Sequence, residues 1–225
     1  MVLVTGDTHG KYDMSKFYSP KSVGGWKLGK NDSVIILGDF GGIWYGDKRD
    51  DDVLDIYAEK PYTIYFVDGN HENFKILNEY PVVEMNGAKC HKIRDNLYHV
   101  MRGEILEIEN QKIFCFGGAS SHDKEYRTEG ISWWPEELAT EEEFIRAEKN
   151  LDKVDWKVDY VVSHCAPTPV VKYMADWYGT DVQTNRFGVW DQKLNYEHWY
   201  FGHFHINRKV DDKHTALYDH TMRLW

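Results

Sequence analysis

Short hydrophobic runs that end abruptly at glycine, aspartate, asparagine or histidine recur along the chain. The first run, Val2–Thr5, leads directly into Gly6-Asp7-Thr8-His9-Gly10. Because these runs are short and rich in β-branched and aromatic residues, they predict buried β-strands. The other runs of this type are Val34–Leu37, Thr63–Val67, Tyr160–Ser163 and Trp199–Phe201.

Helix-like stretches separate several of these predicted strands. Asp51–Glu59 is one, and Thr140–Lys153 is another. The second begins with Thr140-Glu141-Glu142-Glu143, a capping-box pattern whose acids favour a helix N-terminus. Strands that alternate with helices predict a layered α/β fold, in which the carboxyl ends of the strands form the ligand crevice.

The middle of the chain has a different pattern, in which short strand candidates are separated by turn-like residues such as Asn86-Gly87. We expect these strands to form an antiparallel second sheet, to which Asn207–Asp219 adds one or two strands. The candidates are Val82–Met85, Lys89–Arg94, Leu97–Met101, Glu104–Glu109 and Lys112–Phe116. The expected architecture is two sheets packed face to face, with helices outside.

Composition narrows the class of protein. The chain has 225 residues, 42% hydrophobic and 15% aromatic, which predicts one packed domain over residues 1–225. Its formal net charge of −10 does not favour nucleic-acid binding, because phosphate backbones attract Lys and Arg. Phosphate substrates stay compatible with that charge if divalent cations invert the local potential.

Several sequence features favour a cytoplasmic protein that does not bind membranes. No apolar run approaches the ~20 residues of a membrane helix, and Val2–Thr5 is too short for a signal-peptide core. Cys90, Cys115 and Cys165 are widely spaced, which argues against a disulfide framework or a thiolate zinc site.

Metal-binding types of side chain follow five of the predicted strands. They supply two carboxylates, one amide oxygen and four imidazoles, namely Asp7, His9, Asp39, Asn70, His164, His203 and His205. This mixture suits two divalent metal ions such as Mn, Fe, Zn, Co or Ni. Since the carboxyl ends of the strands meet at one crevice, we expect these side chains to converge.

This series of motifs resembles the five-block signature of the calcineurin-like metallophosphoesterases. The blocks span nearly the whole chain in the family's order: Gly6-Asp7-Thr8-His9, Gly38-Asp39, Gly69-Asn70-His71-Glu72, His164 and Gly202-His203-Phe204-His205. The resemblance implies an α/β fold (α+β by some schemes). Its form would be a four-layer α/β/β/α sandwich of two mixed sheets flanked by helices.

The resemblance also implies roles for individual residues. One metal would be held by Asp7, His9, Asp39 and His205, and the other by Asp39, Asn70, His164 and His203, with Asp39 bridging. A hydroxide bridging the two metals would attack phosphorus directly, without a covalent phosphoenzyme. His71 would be the general acid that protonates the leaving oxygen, its charge supported by a carboxylate.

The second block departs from the protein-phosphatase and diadenosine-tetraphosphatase branches of the family. Those branches carry Asp-Arg-Gly after the metal-binding Gly-Asp, whereas Asp39 is followed here by Phe40-Gly41-Gly42. We expect Arg127, together with His122, to contact a substrate phosphate instead, because a guanidinium suits bidentate phosphate binding. A structural ion pair with Glu125 or Glu129 is the alternative role for Arg127.

Three further segments carry expectations of their own. Residues from about 118 to 138 would form a lid or an interface insertion. Within it, Trp133-Trp134-Pro135 favours packing or a homo-oligomer contact over base stacking. Asp50-Asp51-Asp52 and Glu141–Glu143 are interpreted as solvated helix beginnings, and Asp211-Asp212 as a hairpin turn.

The leading functional interpretation is a metal-dependent phosphoesterase. It would hydrolyse a phosphate monoester, a diester or a phosphoanhydride in a small phosphorylated or nucleotide-like substrate. The alternatives are protein Ser/Thr phosphatase-like activity, a nuclease and a non-catalytic metal-binding scaffold. The cluster Lys89, His91, Lys92 and Arg94 gives the nuclease little support, and the complete ligand set with His71 argues against the scaffold.

Overall fold

Two mixed β-sheets pack face to face in the computed structural model, which describes residues 1–19 and 22–225. The strands are β1 Val2–Thr5, β2 Ser22–Val23, β3 Trp26–Lys27, β4 Ser33–Ile36, β5 Thr63–Phe66, β6 Val82–Met85, β7 Ala88–Arg94, β8 Leu97–Val100, β9 Glu104–Ile108, β10 Gln111–Phe116, β11 Tyr160–Ser163, β12 His198–Phe201, β13 Arg208–Lys209, β14 His214–Ala216 and β15 Thr221–Arg223. Within the described residues the first sheet has the order β15-β1-β4-β5-β8-β7-β6, and the second has the order β13-β14-β12-β11-β10-β9. Strands β2 and β3 pair separately as a short hairpin.

The longer helices are α1 Lys48–Ala58, α3 Glu141–Lys153 and α5 Val182–Lys193; α2 Phe74–Leu77 and α4 Thr168–Met174 are short. The capping box predicted at Thr140 is present: its side chain accepts from Glu143 N, and Glu143 reaches back to the Thr140 backbone. Single 3₁₀ turns occur at Met14–Phe17, Lys124–Tyr126 and Pro135–Glu137.

Alternating burial along the strands builds four layers. Leu3 of β1 and Ile36 of β4 face an outer core with Leu54 of α1. Their neighbours on the other face, such as Val4, join a core between the two sheets. Phe116 of β10 faces a third core, together with residues of α3, α4 and α5. Because side chains alternate across a strand, each sheet has one face toward the other sheet and one toward helices. The order is therefore α/β/β/α, as the motifs predicted.

The predicted assignment of strands to sheets was wrong for the middle of the chain. Strand β8 pairs in parallel with β5, with Ile64 opposite Leu97, so β6, β7 and β8 extend the first sheet. The second sheet takes β11 and β12 instead, since β10 pairs in parallel with β11. Hairpin patterns predict that neighbouring strands pair, and they carry no information on which sheet the whole meander joins. The Asp211-Asp212 turn between β13 and β14 was predicted correctly.

The topology brings the ends of five strands together. In the first sheet β1, β4 and β5 are neighbours and run parallel, and in the second sheet β11 and β12 do the same. Their carboxyl ends are therefore available to one crevice between and above the sheets. Among the described residues, no helix is long and apolar enough to cross a lipid bilayer.

Candidate metal centre

Two groups of carboxylate and imidazole ligand atoms meet at this crevice. Within each group the atoms lie within 4.8 Å of one another. Asp39 belongs to both, which comprise Asp7, His9, Asp39 and His205 in one group and Asp39, His164 and His203 in the other. The structure thus brings together all the aspartates and histidines that the sequence singled out as ligands.

Asp39 lies at the junction of the two groups. Its Oδ2 is 3.1 Å from His9 Nε2, and its Oδ1 is 3.3 Å from His164 Nε2. Oδ1 also accepts a hydrogen bond of 2.8 Å from the backbone N–H of His71. A carboxylate with one oxygen toward each group has the geometry expected of a bridging ligand.

Asn70 adds an amide oxygen beside the second group of carboxylate and imidazole atoms. Its Oδ1 lies 3.3 Å from His164 Nε2. His164 is oriented from behind, because its Nδ1 is 2.7 Å from the carbonyl oxygen of Leu37. A hydrogen bond of this kind fixes the tautomer of a histidine and leaves the opposite nitrogen free to bind a metal.

The donor set fits divalent cations on the evidence of two unpaired atoms. Asp7 Oδ2 and His203 Nδ1 are buried and have no hydrogen-bond partner in the described part of the chain. Asp7 Oδ2 does lie 3.2 Å from His205 Nε2, but this approach is not aligned as a hydrogen bond. Because a buried carboxylate oxygen without a partner is costly, its presence here indicates a site built for positive charge.

The pKa shifts of Asp39 and His164 also indicate that this site favours positive charge. Although burial opposes the shift, the charge of His164 and hydrogen bonds from His164 and His9 hold the pKa of Asp39 well below its ordinary value. Burial likewise opposes the shift in His164, yet the Asp39 and Asp7 carboxylates raise its pKa to about 9. In the absence of a cation, these buried carboxylates favour the protonated form of His164.

Several of these ligand residues adopt a backbone conformation that side-chain-bearing residues rarely use. The φ angles are +43° at His9, +44° at Asp39, +68° at His203 and +49° at His205. A left-handed conformation costs roughly 1–2 kcal/mol at a non-glycine residue. Strain at successive ligands is the signature of turns shaped to aim side chains.

Buried hydrogen bonds hold the strained turns in place. Thr8 N and His9 N both donate to the Asp39 carbonyl oxygen, at 3.1 and 2.8 Å. The fully buried carboxylate of Glu72 accepts from Phe40 N at 2.7 Å and from Gly41 N at 3.2 Å. The Glu72 of the third motif therefore serves the turn that carries Asp39, a role the sequence did not reveal.

Glycine is required where strands approach these ligands. A Cβ on Gly69 would lie 2.1 Å from Asp39 Oδ1 and 2.2 Å from Asp39 N. A Cβ on Gly38, whose φ is +94°, would lie 2.2 Å from His164 Nδ1. These contacts explain why the motifs place glycine directly before Asp39 and Asn70.

His71 lies beside the candidate metal ligands and lines an open cavity. Its ring centroid is 5.2 Å from that of His9 and 6.3 Å from that of Trp44, whose ring is inclined to it by 28°. Burial lowers the pKa of His71, and the charges of His9 and Arg127 add to that effect against the opposing charge of Asp39. A carboxylate was expected to support the charge of this ring, and the charge of Asp39 acts in that direction. Among the described residues, no carboxylate accepts a hydrogen bond from the His71 ring.

The cavity next to His71 has a volume of about 890 Å³. Its lining includes three histidines and several aromatic or apolar residues, namely His9, His71, His205, Tyr12, Trp44, Tyr45 and Ile56. A volume of this size accommodates a small-molecule substrate much larger than phosphate.

The buried carboxylate of Asp50 holds the aromatic wall of this cavity. Its Oδ2 accepts from the backbone N–H groups of Trp44, Tyr45 and Gly46 at 2.9, 2.9 and 2.8 Å. The prediction of a solvated Asp50 was therefore wrong. The residue is buried because three N–H groups of the preceding turn replace its water.

Arg127 lies outside both ligand groups and pairs within its own loop. Its Nε is 2.8 Å from Asp123 Oδ1, so the ion pair expected with Glu125 or Glu129 is made with Asp123 instead. Its charge nevertheless reaches the centre, since it contributes to the lowered pKa of His71. His122 is exposed on the same loop and belongs to neither ligand group.

Trp133 and Trp134 pack within the protein. Trp134 is buried and contacts Trp44 edge to face, with ring centroids 5.1 Å apart. Lys124 Nζ lies 5.1 Å from the centroid of the half-buried Trp133 ring. This agrees with the packing interpretation, and Trp134 also steadies the cavity wall.

Comparison with known proteins gives one family match and two structures of similar fold. Residues 1–207 match the family described as calcineurin-like phosphoesterase. Phosphopantetheinyl hydrolase (PptH) from Mycobacterium tuberculosis has a similar fold, with 16% identity, 96% of this chain and 86% of that chain covered, and a TM-score of 0.50. A putative 5'-nucleotidase from Staphylococcus aureus, solved with alpha-ketoglutarate, gives 14% identity, coverage of 96% and 47%, and a TM-score of 0.45.

No match to the chain was found among curated protein sequences. The family match covers all five motifs and the strands that carry them. This chain belongs to the calcineurin-like phosphoesterase family, and it is a phosphoester hydrolase.

Proposed function

We propose that the protein hydrolyses a phosphate mono- or diester, or a phosphoanhydride, at a dinuclear metal centre, with His71 as general acid. The observation that carries the proposal is the pair of ligand groups that share Asp39 and leave Asp7 Oδ2 and His203 Nδ1 buried and unpaired. One group, with Asp7, His9, Asp39 and His205, would hold the first ion. Asp39, Asn70, His164 and His203 would hold the second.

Two bound divalent cations would supply an activated water and would neutralise charge on the phosphate oxygens. The chain's own contribution is position. Leu37 orients His164, and Asp13 Oδ2 orients His9 from 2.7 Å at Nδ1. Ligands held from behind in this way keep their geometry when substrate binds.

The surroundings of His71 support its proposed role as the proton donor to the leaving group. Its backbone N–H donates to Asp39, and its ring lies next to the His9 ring and lines the cavity. Burial keeps its pKa low in the protein alone. A bound phosphate brings negative charge beside the imidazole, which raises that pKa and favours the protonated form needed to donate.

The cavity would receive the leaving group. If phosphate is held at the two groups, the leaving group would extend past His71 along Trp44 and Tyr45, which line the same cavity. This wall is fixed by Asp50 and Trp134 and is aromatic, so it would suit a flat leaving group on a small substrate.

The decisive test pairs His71→Ala with His220→Ala, an exposed histidine outside the site. The substrates are a series of aryl phosphates with leaving groups of increasing pKa, plus bis(p-nitrophenyl) phosphate, assayed with Mn, Co, Ni and Zn. We expect the loss in His71→Ala to grow from about tenfold for p-nitrophenol to 10²–10⁴-fold for poor leaving groups. His220→Ala should match the wild type throughout.

Two results would contradict the proposal. Equal losses across the leaving-group series would remove the acid role of His71. Absence of hydrolysis of every ester, with two metal ions bound, would favour the non-catalytic scaffold.

A further inference from the structure

The amide of Asn70 can face the metal centre with its oxygen or with its NH₂ group, and only the oxygen binds a metal. The two ends are nearly the same size, so packing alone does not select between them. What distinguishes them is hydrogen bonding, because the oxygen accepts and the NH₂ donates. The residues behind Asn70 therefore decide whether it can be a ligand.

Ser121 lies behind Asn70. Asn70 Nδ2 donates to Ser121 Oγ at 3.1 Å, while Asn70 Oδ1 faces His164. A serine hydroxyl can donate or accept, so Ser121 by itself would tolerate either orientation of the amide. The proton of this hydroxyl must be directed elsewhere if Ser121 is to act only as an acceptor for Asn70.

Glu137 directs that proton. Ser121 Oγ donates to Glu137 Oε1 at 2.9 Å, and Ser121 N donates to Glu137 Oε2 at 3.0 Å. Glu137 is 0% exposed and Ser121 is 5% exposed, so water does not compete for these bonds. An ionised carboxylate only accepts, which gives the chain of bonds from Asn70 through Ser121 to Glu137 a single direction.

The segment that carries Ser121 and Glu137 is fixed to the protein at both ends. Near its start, Gly118 N donates to Asp68 O at 2.8 Å. Near its end, Arg102 Nη2 donates to Glu136 O at 2.7 Å while its Nε bonds Asp68 Oδ2 at 2.9 Å. Asp68 precedes Gly69-Asn70, so the same strand end holds both the ligand and its support.

We propose that Ser121 and Glu137 are positioning residues that orient the Asn70 amide and so set the affinity of the second metal position. The segment from about 118 to 138 then supports Asn70 through Ser121 and Glu137 and does not act as a lid. This inference rests on the proposed function only in taking Asn70 as a metal ligand. The inference goes beyond the proposed function because it holds that the buried carboxylate of Glu137 determines which end of the Asn70 amide faces the metal.

The test measures Mn²⁺ binding by titration and follows the spin-coupled pair by electron paramagnetic resonance. We expect Ser121→Ala to weaken the second Mn²⁺ by about 10–100-fold and to leave the first within about threefold. Ser121→Thr keeps the hydroxyl and should retain most of the affinity. Circular dichroism and Tm of the metal-free variants show whether each is folded.

A double-mutant cycle separates orientation from general structural support. Asn70→Asp carries an oxygen at both ends of the side chain, so it does not need to be oriented. We expect Ser121→Ala to cost 10–100-fold with Asn70 present and less than about threefold in the Asn70→Asp background. An equal loss in both backgrounds would overturn the inference.

Glu137→Gln is the second variant, since it keeps the shape of the side chain. If its amide oxygen accepts from Ser121 N, its NH₂ must donate to Ser121 Oγ, which turns the hydroxyl proton toward Asn70 and favours the inverted amide. We expect a loss of second-metal affinity at least as large as in Ser121→Ala. Glu136→Gln, the exposed neighbour, is the matched control and should behave as wild type.

The outcomes keep this inference distinct from the proposed function. A coupled Mn²⁺ pair that is lost in Ser121→Ala and Glu137→Gln supports the orienting role even if no ester is hydrolysed. Hydrolysis with a pair that survives both substitutions supports the proposed function and overturns the orienting role. A wild-type protein that binds no coupled pair would overturn both.

Discussion

Replacing Arg102 with Met should leave the buried negative charge of Asp68, beside the candidate metal centre, without its counter-ion. Arg102 is 4% exposed, and its guanidinium bonds the carboxylate of Asp68, which is 1% exposed. Asp68 Oδ1 also lies 3.1 Å from Nε2 of the buried His99. Breaking a buried ion pair by removing one partner costs about 3–5 kcal/mol, because the remaining charge has lost both water and its counter-ion. We expect the free energy of unfolding to fall by that amount at pH 8.

The pH dependence gives this prediction its sign. Although burial opposes the shift, the Arg102 charge lowers the pKa of Asp68 in the folded wild type. Stability from this shift is fully present above the unfolded pKa of about 3.9 and is lost as pH falls below it. Without Arg102, burial dominates and the folded pKa of Asp68 rises above that value. The difference in unfolding free energy between variant and wild type should therefore be larger at pH 8 than at pH 5.

Urea unfolding of the metal-free proteins at both pH values measures this difference. Arg94→Met is the matched control, because Arg94 pairs with the exposed Asp51 and should cost less than about 1 kcal/mol. Adding Asp68→Asn to Arg102→Met should recover stability, since the double variant buries no uncompensated charge. A cost for Arg102→Met below 1 kcal/mol, or one that does not change between pH 5 and pH 8, would refute the reasoning.

Further predictions concern the cavity, the glycines and the metals. Trp44→Ala should lower kcat/KM for a nucleoside 5'-monophosphate about tenfold and leave ribose 5-phosphate unchanged, because stacking on an aromatic ring is worth about 1–3 kcal/mol per base; equal losses for both substrates would contradict this. Gly69→Ala should abolish metal binding and lower Tm, whereas Gly179→Ala, with open space around its Cβ, should do neither. Chelation should lower both the Tm and the unfolding free energy of the wild type. If the metal had been present at 100 times its Kd, the unfolding free energy should fall by about 2.7 kcal/mol. Chelation should have little effect on Asp39→Asn. A wild-type Tm that is unchanged on chelation would argue against the site.

The sequence predicted the centre better than the scaffold around it. Asp7, His9 and Asp39 follow strands whose hydrophobic pattern is clear, and parallel strands deliver their carboxyl ends to one edge. The spacing within each motif was therefore enough to predict convergence. The membership of β6, β7 and β8 in the first sheet was not predictable in this way, because it depends on the Ile64–Leu97 pairing between distant segments.

Residues that act from behind were missed for a different reason. Ser121 contacts Asn70 across 51 positions of sequence, and Glu137 contacts Ser121 across 16. Neither belongs to a periodic pattern, and a serine or glutamate in a polar loop looks solvated in a sequence. The sequence was misleading at Asp50, because three consecutive aspartates resemble an exposed helix start. In the structure, the backbone N–H groups of Trp44, Tyr45 and Gly46 donate to the Asp50 carboxylate.

The candidate ligands with a positive φ favour function at the expense of stability. His205 has a φ of +49°, so replacing it with glycine would relieve backbone strain. Its half-exposed side chain buries little surface that the substitution would lose. A His205→Gly protein should therefore be about 1 kcal/mol more stable than His205→Ala in the absence of metal. Loss of function at such positions is thermodynamically easy, so inactive descendants of this fold need not be unstable ones. Under the proposed function, binding of cations would offset this backbone strain in the active protein.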